Sequence, residues 1–89
     1  MESDIQTKIK NKLKKAGWKV IKIIQLSENG YPDLMCIKNG ATVWIEVKDK
    51  GKAPDPLQIY RIKELNKNGF TAFWTDTHID SRIDNLLNF

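Results

Sequence analysis

Two short phrases carry the side chains with chemistry in them, Gly30-Tyr31-Pro32-Asp33 and Glu46-Val47-Lys48. The first leads into an apolar run, Leu34 to Ile37, and the second closes another, Thr42 to Val47. Between the runs stands Asn39-Gly40, a dipeptide suited to the positive backbone angles of a tight hairpin. Asp33 and Glu46 thus sit at the ends of neighbouring strands. Two carboxylates so placed suit a hard divalent cation such as Mg²⁺, which takes oxygen ligands. Lys48, two residues beyond Glu46, leaves its strand on the same side because side chains alternate with period two. Metal, phosphate and an activated water are the chemistry this set suggests.

A plainer account fits each residue taken alone. Val43, Ile45 and Val47 share one face of their strand, and Trp44, Glu46 and Lys48 the other. Glu46 and Lys48 then read equally as an ion pair on a half-exposed strand, worth about a few tenths of a kcal/mol. Asp33 alone is what a Pro-Asp turn commonly holds. The three in this order, joined by a hairpin, are what point to a site.

The elements that must position them follow from hydrophobic spacing. Ile5, Ile9, Leu13 and Ala16 mark one face of a helix from Glu2 to Ala16, with five lysines on its other faces and Gly17 as its stop. Trp18 to Leu26, rich in β-branched residues, predicts a first strand, and Ser27 to Pro32 a polar turn. Leu34 to Lys38 and Thr42 to Lys48 are the second and third strands. Asp49 to Ala53 is a mobile loop carrying Lys50, Gly51 and Lys52. Asp55-Pro56 opens a helix running to about Asn68, with Leu57, Ile59, Tyr60, Ile62 and Leu65 as its buried surface. Phe70 to Thr75 is a fourth strand. Thr77 and Asp80 have a capping-box-like spacing before a last helix carrying Ile79, Ile83, Leu86 and Leu87. The order is αβββαβα. The crossover through the second helix makes strands three and four parallel, and the hairpin makes two and three antiparallel. An α/β fold follows, a small mixed β-sheet flanked by helices.

Composition narrows the classes. Eighty-nine residues, 40% of them hydrophobic, make one domain over 1–89. A net charge of +4 favours a polyanionic partner, nucleic acid before an anionic membrane surface. The lone Cys36 excludes an intramolecular disulfide and reads as a buried, inert thiol; with a single histidine beside it, the composition argues against zinc. No leader and no stretch of membrane-spanning length is seen, so the expected location is intracellular, in the cytoplasm, with no membrane partner.

Gly-Tyr-Pro-Asp followed by Glu-Val-Lys resembles the PD-(D/E)XK nuclease superfamily, and the surrounding phrasing is most similar to VRR-NUC domains. The likeness spans nearly the whole chain: Glu2 at the start of helix one, Gly30-x-Pro32-Asp33, Glu46-x-Lys48, and Gln58 in the next helix. It implies a metal-dependent DNA endonuclease. Asp33, Glu46 and the backbone carbonyl of Val47 would be ligands of Mg²⁺, with Mn²⁺ able to substitute. Glu2, or Asp4 as fallback, would reach the metal directly or through water. Lys48 would orient the attacking water and stabilise charge on the phosphate, and Gln58 would contact the phosphate or the site. Lys50 and Lys52, beside such a centre, are placed to contact DNA phosphates.

Single-domain VRR-NUC relatives and the similar archaeal-type junction resolvases work as symmetric pairs. That implies a homodimer acting on branched DNA such as four-way junctions. Ile83, Leu86, Leu87 and Phe89 are the first candidates for its contact surface, with core packing as their other reading. A non-catalytic DNA-binding module and a monomeric flap or nicking nuclease are the alternatives.

Overall fold

The computed structural model describes residues 2–89, the side chain of Glu2 excepted. In chain order the elements are α1 (Glu2–Lys15), β1 (Lys19–Lys22), β2 (Leu34–Lys38), β3 (Ala41–Val47), α2 (Pro56–Lys67), β4 (Thr71–Thr75) and α3 (Ser81–Leu87). Strand order in the sheet is β1-β2-β3-β4, antiparallel across the first two pairs and parallel across the last. The αβββαβα order and mixed sheet agree with the sequence reading. Asn39 and Gly40 both take positive φ, 48° and 83°, as the two-residue hairpin between β2 and β3 requires.

The two sheet faces are covered differently. Ile9, Leu13, Trp18, Leu34, Cys36, Val43, Ile45, Val47, Phe73 and Ile83 form the main core, under α1 and α3. Burial at 0% exposure pushes the Cys36 thiol up to about 12, as an inert core cysteine should behave. On the opposite face Ile62, Leu65 and Ala72 make a smaller cluster with Tyr31, Trp44 and Trp74, roofed by α2.

Four expectations are corrected. β1 stops at Lys22, not Leu26. Its partner β2 begins at Leu34, and one further bond, Ile23 N–H to Asp33 O at 2.7 Å, ends the pairing; Ile24 and Leu26 then project from an irregular loop. Only Ile62 and Leu65 of α2 are buried, while Leu57 and Tyr60 stand exposed. The last helix is capped by Asp80, whose side chain accepts from Arg82 N–H, so Ile79 lies outside it and 72% exposed. Lastly, Ile83 is in the core, with Leu86 and Leu87 packed against it, and Phe89 stacks on Trp18 at 5.4 Å. The Ile83 side of α3 is therefore core, while Phe89 just past the helix stays 55% exposed. No helix among the described residues is long and apolar enough to cross a membrane.

Candidate active site

The side chains singled out from sequence meet where β3 ends and β2 begins. Val43, Ile45 and Val47 face the main core, so period-two alternation turns Glu46 toward α2. There it is only 2% exposed. That burial removes the reading of Glu46 and Lys48 as a solvated surface pair. Lys48 follows on the same side and places Nζ 3.2 Å from Glu46 Oε2. Gln58, in the first turn of α2, donates from Nε2 to the same oxygen at 3.2 Å.

Asp33 arrives from the other strand. The last β2–β3 partners are Leu34 and Ile45. One step beyond, the Asp33 side chain takes over the ladder by accepting from Val47 N–H through Oδ2 at 3.1 Å. This fixes the carboxylate beside Glu46. Burial, then the charge of Asp33, raise the Glu46 carboxyl to about 7, while Lys48 pulls it down. Asp33, Glu46, Val47, Lys48 and Gln58 are thus gathered in one place. Glu2 was expected there too, and its side chain lies outside the described residues. Asp4, the fallback, is exposed on α1.

Lys50 and Lys52 are exposed on the following loop, which is less free than the sequence suggested. Lys52 N–H donates to Asp49 O and Gly51 N–H to Asp76 Oδ2, both at 2.9 Å. Asp76, just past β4, is a tether that nothing in the sequence singled out. His78, to which no chemistry was assigned, is held below its usual range by desolvation and by Lys8 and Lys12.

Glu46 Oε1 is buried and has no hydrogen-bond partner among the described residues. A carboxylate oxygen left so is costly, and a hard cation shared with the neighbouring Asp33 would satisfy it. The donor set therefore fits Mg²⁺, although among the described residues no group of three or more His, Cys, Asp or Glu side chains gathers anywhere. Further ligands would have to be backbone carbonyl oxygen or water, both ordinary for this ion.

A solved structure of a VRR_NUC domain superposes on the chain with a TM-score of 0.81 at 27% identity, covering 98% of this chain and 94% of that one. The chain has the VRR_NUC fold. A second structure, a VRR_NUC domain protein, matches with a TM-score of 0.77 at 26% identity over 98% of this chain and 88% of that one. No protein-family model matches the sequence, and no curated protein matches it. The VRR_NUC fold is a nuclease-type fold, and the resemblance first seen in two short phrases extends to the whole architecture.

Sequence reasoning missed how the site is supported. Asp55-x-x-Gln58 is a capping box, with Gln58 N–H donating to Asp55 Oδ1 at 2.8 Å and Asp55 N–H to Gln58 Oε1 at 2.9 Å. The i, i+3 spacing was there to be read. Arg61 was missed as well, although it lies one turn after Gln58 and so on the same side of α2.

Proposed function

We propose that residues 1–89 act as one domain, a Mg²⁺-dependent endonuclease that hydrolyses phosphodiester bonds in DNA. The observation that carries this reading is Glu46: buried, with one oxygen unpartnered and the other held by Lys48 and Gln58, beside the carboxylate of Asp33. Asp33, Glu46 and the Val47 carbonyl would hold the metal, with Glu2 reaching it directly or through water; Mn²⁺ would substitute. When bound, the ion supplies Lewis-acid stabilisation of phosphate charge and a water of lowered pKa. Lys48, four-fifths buried beside the carboxylates, adds fixed positive charge where the phosphate becomes more negative. Gln58 holds Glu46 in place, and Lys50 and Lys52 grip neighbouring phosphates. Direct in-line attack would invert the configuration at phosphorus.

The substrate we propose is branched DNA, four-way junctions among its forms, engaged by a homodimer. A two-fold pair offers two Asp33/Glu46/Lys48 sites to two strands at once. No helix-turn-helix or zinc-finger pattern is available for base readout, which favours recognition of DNA shape.

The test incubates the pure protein with linear, flap and four-way-junction DNA, with Mg²⁺, with Mn²⁺ and with chelator. Cleavage only when metal is present supports the nuclease reading. Binding without cleavage in either metal would favour the DNA-binding module instead. Light scattering at micromolar concentration checks the dimer, and a monomeric mass both free and on junction DNA would remove it.

A further inference from the structure

We infer that Arg61 is a positioning residue for Asp33, clamping the segment Glu28–Tyr31 onto α2 so that the Asp33 carboxylate stays at its place beside Glu46. The inference rests on the reading of Asp33 and Glu46 as the metal-holding pair. Its geometry is independent of that reading. The Arg61 guanidinium lies 4.8 Å from the Tyr31 ring centroid and 5.6 Å from that of Tyr60. Its Nε donates to Asn29 O at 3.0 Å. Its Nη1 is 3.4 Å from Glu64 Oε1, the same oxygen that accepts from Tyr31 O–H at 2.9 Å. The Arg61 side chain is only 14% exposed.

The loop backbone is pressed against the same turn of helix. A Cβ built on Gly30 would stand 2.6 Å from Leu57 Cγ and 3.3 Å from Arg61 Cγ, and Gly30 has φ +88°. Only glycine fits both the conformation and the space. Tyr31 is then joined to Asp33 through Pro32, which is fully buried and whose ring fixes φ. Orientation set at Tyr31 therefore reaches Asp33 with little slack.

Something must do this holding. The loop ahead of Asp33 has left the sheet, its last ladder bond being Ile23 N–H to Asp33 O. Asp33 faces a second carboxylate across the site, and like charges push apart. Against that stands the bond the Asp33 side chain accepts from Val47 N–H. A planar fork between two rings, bonded to a carbonyl and to a carboxylate, has the rigidity to oppose the swing, and a lysine could not reproduce it. Gln58 holds Glu46 and Arg61 holds the approach to Asp33. One helix thus sets the spacing of both carboxylates.

The test compares Arg61→Gln and Gly30→Ala with the parent chain, and takes Asp33→Ala as reference. Three quantities are measured: amide hydrogen exchange across residues 28–33, Mg²⁺ affinity by calorimetry without DNA, and cleavage rate against Mg²⁺ concentration. Both clamp variants should exchange about tenfold faster or more at 28–33, with β3 and α1 at parent rates. Both should bind Mg²⁺ about 10- to 100-fold more weakly. Both should regain most of the parent rate at raised Mg²⁺, because the ligands are present but misplaced; Asp33→Ala should regain none. Should Arg61→Gln not fold, Arg61→Lys, which keeps the charge and the helix-favouring stem, takes its place. Unchanged exchange at 28–33, or loosening with parent Mg²⁺ affinity while Asp33→Ala loses affinity, overturns the inference alone. Parent affinity in Asp33→Ala itself overturns the metal-site reading and this inference with it.

Discussion

One side-chain amide ties Glu46 to Asp55: Gln58 donates from Nε2 to Glu46 Oε2 at 3.2 Å while its Oε1 accepts from Asp55 N–H at 2.9 Å. The two bonds assign the amide. A carboxylate can only accept and a backbone N–H can only donate, so the NH₂ must face Glu46. The helix cap and the site are therefore one structure, and the start of α2 is registered against the end of β3.

Substitutions at this junction should separate the cap from the site. Asp55→Ala should cost about 1 kcal/mol of stability as a lost N-cap, with a smaller effect on cleavage. Gln58→Ala loses the same box plus a bond to a charged group, worth about 1.5–3 kcal/mol, and should lower kcat about tenfold or more. Gln58→Glu would set a third carboxylate against Glu46 and should be worse than alanine. Thermal melts beside single-turnover rates would show the order, and a Gln58→Glu chain faster than Gln58→Ala would reject it.

Asp33→Ala, Glu46→Ala and Lys48→Ala should each abolish DNA cleavage while circular dichroism shows a folded chain. Removing either carboxylate should weaken Mg²⁺ binding, and Lys48→Ala should spare it more, since Lys48 meets Glu46 at Oε2 and leaves Oε1 to the metal. Parent-rate cleavage by folded Asp33→Ala would reject the proposed site.

Much of this was legible because local chemistry and fold agree. The Asn39-Gly40 turn set the β2–β3 register, and alternation along Val43, Ile45 and Val47 placed Glu46 and Lys48 on the opposite side. What alternation did not tell is that this opposite side is roofed: Glu46 is buried because α2 lies over it, a tertiary contact no strand pattern encodes. β1 was over-extended for a similar reason. Residues 23–26 have strand propensity, but β2 gives them no partner beyond Ile23. Arg61 escaped notice because a basic residue on a helix ordinarily points to water, and its value here comes from Tyr31 and Asn29, some thirty residues earlier in the chain.

DNA binding should be salt-sensitive, with Lys50 and Lys52 contributing alike on every sequence, because phosphate contacts carry no base information. The exposed ammonium groups project from a loop fixed by Asp76, so each should make a definite contact. Lys50→Ala and Lys52→Ala should each reduce the slope of log K against log salt by about 1. Titrations of labelled DNA between low and physiological salt measure this. Affinity flat over that range would remove the electrostatic account.

Metal-free stability should fall as pH rises from about 4.5 to about 7, and Glu46 should be the cause. Its carboxyl titrates near 7 in the folded chain against an ordinary 4.5, chiefly through burial and then through Asp33. A raised carboxylate binds its proton more tightly folded than unfolded, so unfolding between those values releases the proton and grows easier with pH. Below about 4.5 both states are protonated and the loss is absent; above about 7 it is complete. The size is on the order of 3 kcal/mol, or on the order of 10 °C in melting temperature for a chain this short. His78, held below its usual range, tilts stability the other way as its own protonation is lost. The clean measurement is therefore the difference between parent and Glu46→Gln melting temperatures in chelator, from pH 4.5 to 8. Glu46→Gln should be the more stable chain at pH 8 and should lose most of that advantage by pH 4.5. Added Mg²⁺ should raise the parent curve at pH 8 and leave Glu46→Gln far less changed, because the ion would take the place of the proton on Glu46. A parent chain in chelator with the same pH profile as Glu46→Gln would show that Glu46 is not the strained group.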